Sequence, residues 1–177
     1  MMLPNSHKLL LIPSPRTVDL ISYRVLALDP ILEVEETKQG SGHLCGSVFL
    51  DRIFAKYLTD KFGAKISKKI LSSAIAEYDK IKRNFDGESE GPYEIALPIK
   101  GDPNGIKDGT YELTSATVKS LFDPVVNEII RLVREEVQAT PGQVKKLVLM
   151  GGFGSNPYLG KQLEAAIDLE VTLPHYR

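Results

Sequence analysis

Three stretches of this chain hold residue types whose spacing can do chemistry. In residues 147–157, LVLMGGFGSNP, apolar strand residues run into Gly151, Gly152, Phe153, Gly154 and Ser155, and Asn156-Pro157 then opens a helix. Glycines let a backbone come close to a ligand, and a helix N-terminus offers N–H groups to an anion or to a ribose–base edge. The same glycines also serve simply to turn a chain. In residues 40–47, GSGHLCGS, small residues around Gly46 precede a helical pattern. Such a loop can cradle phosphate through its N–H groups or be a plain turn. The third stretch is the end of an amphipathic helix, where Asp79, Lys82 and Arg83 gather. Basic residues there can grip a ligand, or can be a solvated face matched to the helix dipole.

Familiar nucleotide patterns do not fit these stretches. A Walker loop needs four residues between its glycines and a Lys-Ser/Thr end, whereas Gly154 and Gly160 enclose five and Gln162 follows Lys161. The dinucleotide fingerprint needs a small residue where Pro157 stands. His43 reads as a hydrogen-bonded loop residue and Cys45 as a small buried thiol. Asp102, Asn104 and Asp108 only loosely resemble a calcium loop, and Pro103 breaks that spacing.

The elements that must position these residues alternate between strand and helix. Strand patterns fall at 17–25, 31–34, 94–99, 110–113 and 145–150. Helical patterns fall at 48–62 and from Ser67 to Phe85, where Ser67 can cap. Thr114 can cap a short helix through Leu121, and Asp123-Pro124 reads as the start of another. The order predicts a layered α/β domain. Residues 1–16, with the short run Leu9–Ile12 flanked by prolines, read as a strand-like, or divergent or disordered, lead-in rather than a signal peptide.

Composition narrows the classes. The 177 residues carry 22 Lys+Arg against 23 Asp+Glu, so the net charge of −1 gives no reason to expect nucleic acid or an acidic membrane as partner. One cysteine cannot form an internal disulfide, which predicts a reducing, cytoplasmic setting. Three histidines far apart make a zinc site improbable.

Taken in order, the motifs resemble the actin-like ATPase domain of the heat shock protein 70 family, in a divergent fungal or animal form. Thr17-Val18-Asp19 is similar to the end of the family's phosphate-binding hairpin, Asp-x-Gly-Gly-Gly-Thr-x-Asp. Gly40-x-x-His43-Leu44-Cys45-Gly46, with Phe49 and Asp51, resembles its Gly-x-x-x-Leu-Gly-Gly stretch. Tyr78-Asp79-x-x-Lys82-Arg83 resembles its adenosine-contacting helix, Leu121-Phe122-Asp123-Pro124-Val125 its Leu-Asp-Pro-Val helix, and residues 147–157 its adenosine motif.

The resemblance implies a ribonuclease H-like half-domain. Its core lobe would be residues 17–63 and 114–177, with an inserted helix-plus-hairpin lobe at 64–113. It implies ATP or ADP with Mg2+ between the lobes. Lys82 and Arg83 would lie against adenine, with Asp79 on the ribose. Gly151 and Gly152 would lie beside ribose and α-phosphate, and Phe153 and Ser155 belong to the same motif. Gly46 would leave room for the phosphates, and Thr17 and Asp19 would face the γ-phosphate and the magnesium shell.

Departures from the family pattern imply loss on the phosphate side. The three hairpin glycines fall on Ser14, Pro15 and Arg16, and the acidic residue falls on Ile12. Cys45 replaces one glycine of the Gly-Gly pair. The family's first phosphate loop, catalytic lysine, closing helix and substrate-binding domain have no counterpart. The reading is therefore a truncated ATP-binding segment with weak or no hydrolysis, and a protein partner covering the missing half. The alternative is a non-catalytic interaction module that binds no nucleotide.

Overall fold

The computed structural model describes residues 6–99 and 105–173. Asp102 and Asn104 of the loosely calcium-like loop, and the last four residues of the expected core lobe, lie outside them. The strands are β1 (His7–Pro13), β2 (Val18–Ala27), β3 (Glu33–Glu36), β4 (Ser41–His43), β5 (Tyr93–Ala96), β6 (Ile106–Lys107), β7 (Thr110–Leu113), β8 (Val144–Leu149) and β9 (Glu170–Thr172). The helices are α1 (Val48–Phe62), α2 (Lys68–Asn84), α3 (Ser115–Ala139) and α4 (Pro157–Ala166). The protein is mixed α/β, and its main sheet is itself mixed. The order is β3-β2-β1-β8-β9, with β4 beside β2. Strands β1, β2 and β3 run antiparallel, and β1, β8 and β9 run parallel.

Within the lead-in expected at residues 1–16, the strand-like alternative holds for His7–Pro13, which form the central strand β1. It pairs with β2 from His7↔Arg24 to Pro13↔Val18, and with β8 on its other side. Of its run of four apolar residues, Leu9 and Leu11 face the core, and Leu10 and Ile12 lie half-buried on the other face. Pro13 falls at the strand end, where the chain turns, so its missing N–H breaks no ladder. The turn at 14–17 is closed by the Ser14 N–H donating to Thr17 O at 2.7 Å.

One continuous core unites both parts of the chain. Leu9, Leu11, Leu20 and Leu149 of the sheet meet Phe54 of α1, Phe122 and Ile129 of α3, and Leu159 of α4. The segment 64–113 feeds Tyr78, Phe85, Ile95 and Leu113 into this same cluster rather than building its own. Phe54 and Tyr78 stack with centroids 4.1 Å apart. The expected hairpin becomes a three-stranded sheet, β5-β7-β6. The opposite face of the main sheet differs. Leu10, Ile12, Ile21 and Val148 alternate away from the core, are half-buried, and stand outside that cluster.

Two helix starts follow their caps. The Ser67 side chain accepts from the Ile70 N–H and that of Thr114 from the Thr117 N–H, at 3.3 and 3.1 Å. The predicted restart at Asp123-Pro124 is corrected, because α3 runs unbroken through Pro124. Asp123 does not cap. It accepts from Tyr158 Oη at 2.5 Å and pairs with Lys119 at 2.9 Å. A proline inside a helix costs roughly 3 kcal/mol. Burial of Leu121, Phe122, Val125, Val126 and Ile129 on one stripe offsets it, at about 1.5–3 kcal/mol per large side chain.

A buried polar knot ties α3 to the sheet. Glu136, 4% exposed, accepts from Ser22 Oγ (3.2 Å), Ser41 Oγ (3.0 Å) and Lys38 Nζ (2.9 Å). Ser22 and Thr140 share a further hydrogen bond of 2.7 Å. No helix among the described residues is long and apolar enough to cross a membrane.

Candidate functional site

Four elements converge on one cleft of about 340 Å³. The turn between β1 and β2 supplies Ser14 and Pro15, and the start of α1 supplies Ser47, Val48 and Asp51. The last turn of α2 brings Asp79, Lys82 and Arg83, and the bend after β8 brings Gly152 and Phe153. All three stretches singled out by residue type thus line a single opening, the 40–47 stretch through Ser47 alone.

Asn156 holds the α2 end and the β8 bend together. It caps α4, its Oδ1 accepting from the Leu159 N–H at 2.8 Å. Its buried Nδ2 donates to Lys82 O at 2.7 Å and to Phe85 O at 3.3 Å, reaching carbonyls at the end of α2. The bend itself is shaped by contact. Gly151 has φ +81, and a Cβ there would lie 2.9 Å from Pro13 O. Gly152 differs, since a Cβ there would meet nothing within 4 Å. Ser155 Oγ donates to Gly152 O at 2.7 Å and braces the turn.

The charges in the cleft are already paired. Lys82 is 8% exposed, with Nζ 2.5 Å from Asp51 Oδ1 and 3.2 Å from Asp79 Oδ1. Asp51 Oδ1 has no hydrogen-bond partner, so its link to Lys82 is a close charge contact outside hydrogen-bond angles. Arg83 Nε donates to Asp79 Oδ2 at 2.8 Å. Burial opposes ionisation of Asp79, but hydrogen bonds and charge from Arg83 and Lys82 outweigh it and hold the carboxyl below its usual range. Behind this cluster Tyr78 is fully buried with its hydroxyl unpartnered. Burial first, and Asp51 second, push its pKa up.

Asp79, Lys82, Arg83, Gly152 and Phe153 line the cleft; Thr17, Asp19, Gly46, Gly151 and Ser155 are not among its lining residues. Thr17 Oγ1 bonds Ser14 Oγ at 2.9 Å and donates to Asp19 Oδ2 at 3.4 Å, inside the hairpin. Gly46 packs under the turn, where a Cβ would stand 2.3 Å from Ser14 O and 2.6 Å from Pro15 O. The room expected there for phosphates is filled by the chain's own backbone. Cys45 is buried, and burial, then Glu128, push its thiol up to about 11, so it stays protonated at neutral pH. No group of three or more His, Cys, Asp or Glu among the described residues is placed to hold a metal ion.

Asp51 is the site residue that sequence reasoning underused. It appeared only inside a loop motif, yet it is the main partner of Lys82. Its place in the first turn of α1, four residues after Ser47, is the only local signal.

No family model and no curated protein matches this sequence. Fold and cleft together define a mixed α/β protein with an ion-paired cleft at the end of its central strand.

Proposed function

We propose that this cleft takes an adenine nucleotide or its adenosine part, in a protein related to the chaperone-type, actin-like (ribonuclease H-like) ATPases. On this reading the adenosine side is kept and the phosphate side has degraded. One observation carries the proposal: the end of α2 and the glycine bend, the two stretches assigned to adenosine, line one opening. The order β3-β2-β1-β8-β9, an antiparallel meander continued by parallel strands, fits an actin-like half-domain, by fold-level analogy.

The roles follow from the chemistry of the walls. Asp79, held ionised, accepts from ribose hydroxyls. The aliphatic stem of Lys82 and the exposed guanidinium of Arg83 lie against the base. Gly152 and Phe153 line the same opening. Thr17 and Asp19 would be the groups nearest a magnesium-bound phosphate, and they are tied to each other and to Ser14 instead. Hydrolysis of ATP is accordingly weak or absent, in a cytoplasmic setting.

Gly152→Val tests the proposal. The added side chain meets no neighbour at its Cβ and narrows the cleft, and a wild-type melting temperature checks that the fold is retained. Calorimetric titration with adenosine is expected to show binding to the wild type and a loss of at least about tenfold in the variant. Unchanged affinity would move the ligand elsewhere, and absence of binding to the wild type would end the adenosine reading.

A second reading, an interaction module, is favoured by the half-buried face of the main sheet. We propose a second copy of this chain as its occupant. Leu10, Ile12, Ile21 and Val148 form an apolar centre, with Lys8 and Lys146, the latter paired with Glu170 at 2.6 Å, at one end and Asp19 at the other. A two-fold axis would set each basic end against the acidic end of its mate. Sedimentation should find a dimer that Leu10→Glu dissociates; a wild-type monomer at high micromolar concentration removes the reading.

A further inference from the structure

We infer that the occupant of the cleft is a nucleoside without a phosphate chain, because the protein's own carbonyl groups fill the place such a chain needs. The inference rests on the adenosine reading above and narrows its ligand.

A phosphate beside a hairpin and a helix N-terminus is held by free backbone N–H groups and by cations with charge to spare. At the hairpin and the start of α1 those N–H groups are already taken. In the hairpin, Pro15 has no N–H, and the Ser14 N–H is spent on Thr17 O at 2.7 Å. Those of Arg16 and Thr17 both go to Ser14 Oγ, at 3.3 and 2.9 Å. At the start of α1 the Gly46 N–H donates to Arg16 O (3.2 Å), Ser47 to Ser14 O (3.4 Å) and Val48 to Pro15 O (2.8 Å). Three consecutive carbonyls of the turn thus occupy the N-terminus of α1 as an anion would. Their negative ends, not N–H groups, meet the helix there.

The cations at the end of α2 already have carboxylate neighbours. Lys82 contacts Asp51 and Asp79, and Arg83 contacts Asp79. A triphosphate would have to displace these carboxylates or sit against them. Each close like-charge contact in a partly buried site is unfavourable. A ribose makes no such demand. Its hydroxyls donate, and Asp79 accepts.

Calorimetric titration of the full chain with adenosine, AMP, ADP and ATP, each with and without Mg2+, decides the matter. Adenosine should bind, ATP should bind at least about tenfold more weakly, and Mg2+ should leave the adenosine affinity unchanged. ATP binding as tightly as adenosine or more tightly, with or without Mg2+, overturns the inference and leaves the adenosine reading standing. Failure of all four to bind overturns both.

Discussion

Asn156→Ala is expected to lower the free energy of unfolding by about 3 kcal/mol and to abolish ligand binding in the cleft. The side chain does two jobs at once. Its Oδ1 caps α4 at the Leu159 N–H, a contribution of about 1 kcal/mol. Its Nδ2 satisfies the Lys82 and Phe85 carbonyls at the end of α2. Removing that donor strands buried acceptors, at about 1–3 kcal/mol. Asn156→Asp separates the two jobs. The carboxylate still caps, but it turns an acceptor toward two carbonyls, so this variant should lose binding while recovering part of the helix-capping contribution. Urea titration gives the stability and calorimetry with adenosine gives the binding. A wild-type midpoint for Asn156→Ala would mean that the walls are held by other means.

Glu136→Ala is expected to cost about 3 kcal/mol, because removing one member of a buried charged network leaves the rest uncompensated. Ser22, Ser41 and Lys38 all donate to this one carboxylate, and they come from strand β2, strand β4 and the loop between β3 and β4. Lys38 is 28% exposed and can turn to water, which keeps the loss below that of a fully enclosed pair. Glu136→Gln keeps the shape and one acceptor, and should cost about half as much. Thermal unfolding followed by circular dichroism reads both. Equal melting temperatures for the alanine variant and the wild type would show that the knot contributes nothing net.

The parts of the fold legible in the sequence are those set by neighbours in the chain. Ser67, Thr114 and Asn156 announce their helices because a cap needs only the next three residues. The strand-bend-helix at 147–157 reads directly for the same reason. Other features depend on distant partners. The run Leu9–Ile12 looks like an idle segment until β2 and β8 flank it. Asp123-Pro124 has the form of a helix start, but Tyr158 and Lys119 claim the aspartate, and the apolar stripe of α3 carries the helix through the proline. β9 gains its place only by pairing with β8.

The site divides along the same line. Asp79, Lys82 and Arg83 share one helix end, so their clustering is visible in the chain. Their meeting with Gly152, and the claim of Asp51 on Lys82, arise from tertiary packing. The fate of Gly46 was hidden most deeply. A glycine that makes room for a ligand and a glycine that makes room for backbone look alike in sequence, and only the position of Ser14 O distinguishes them.

The turn seated on the start of α1 has a wider consequence. A diffusing anion occupies its place in proportion to its concentration, and leaves when it is hydrolysed or diluted. A tethered group does neither. With that position permanently occupied from within, the hairpin end of the cleft gives no response to a change in the concentration of such anions.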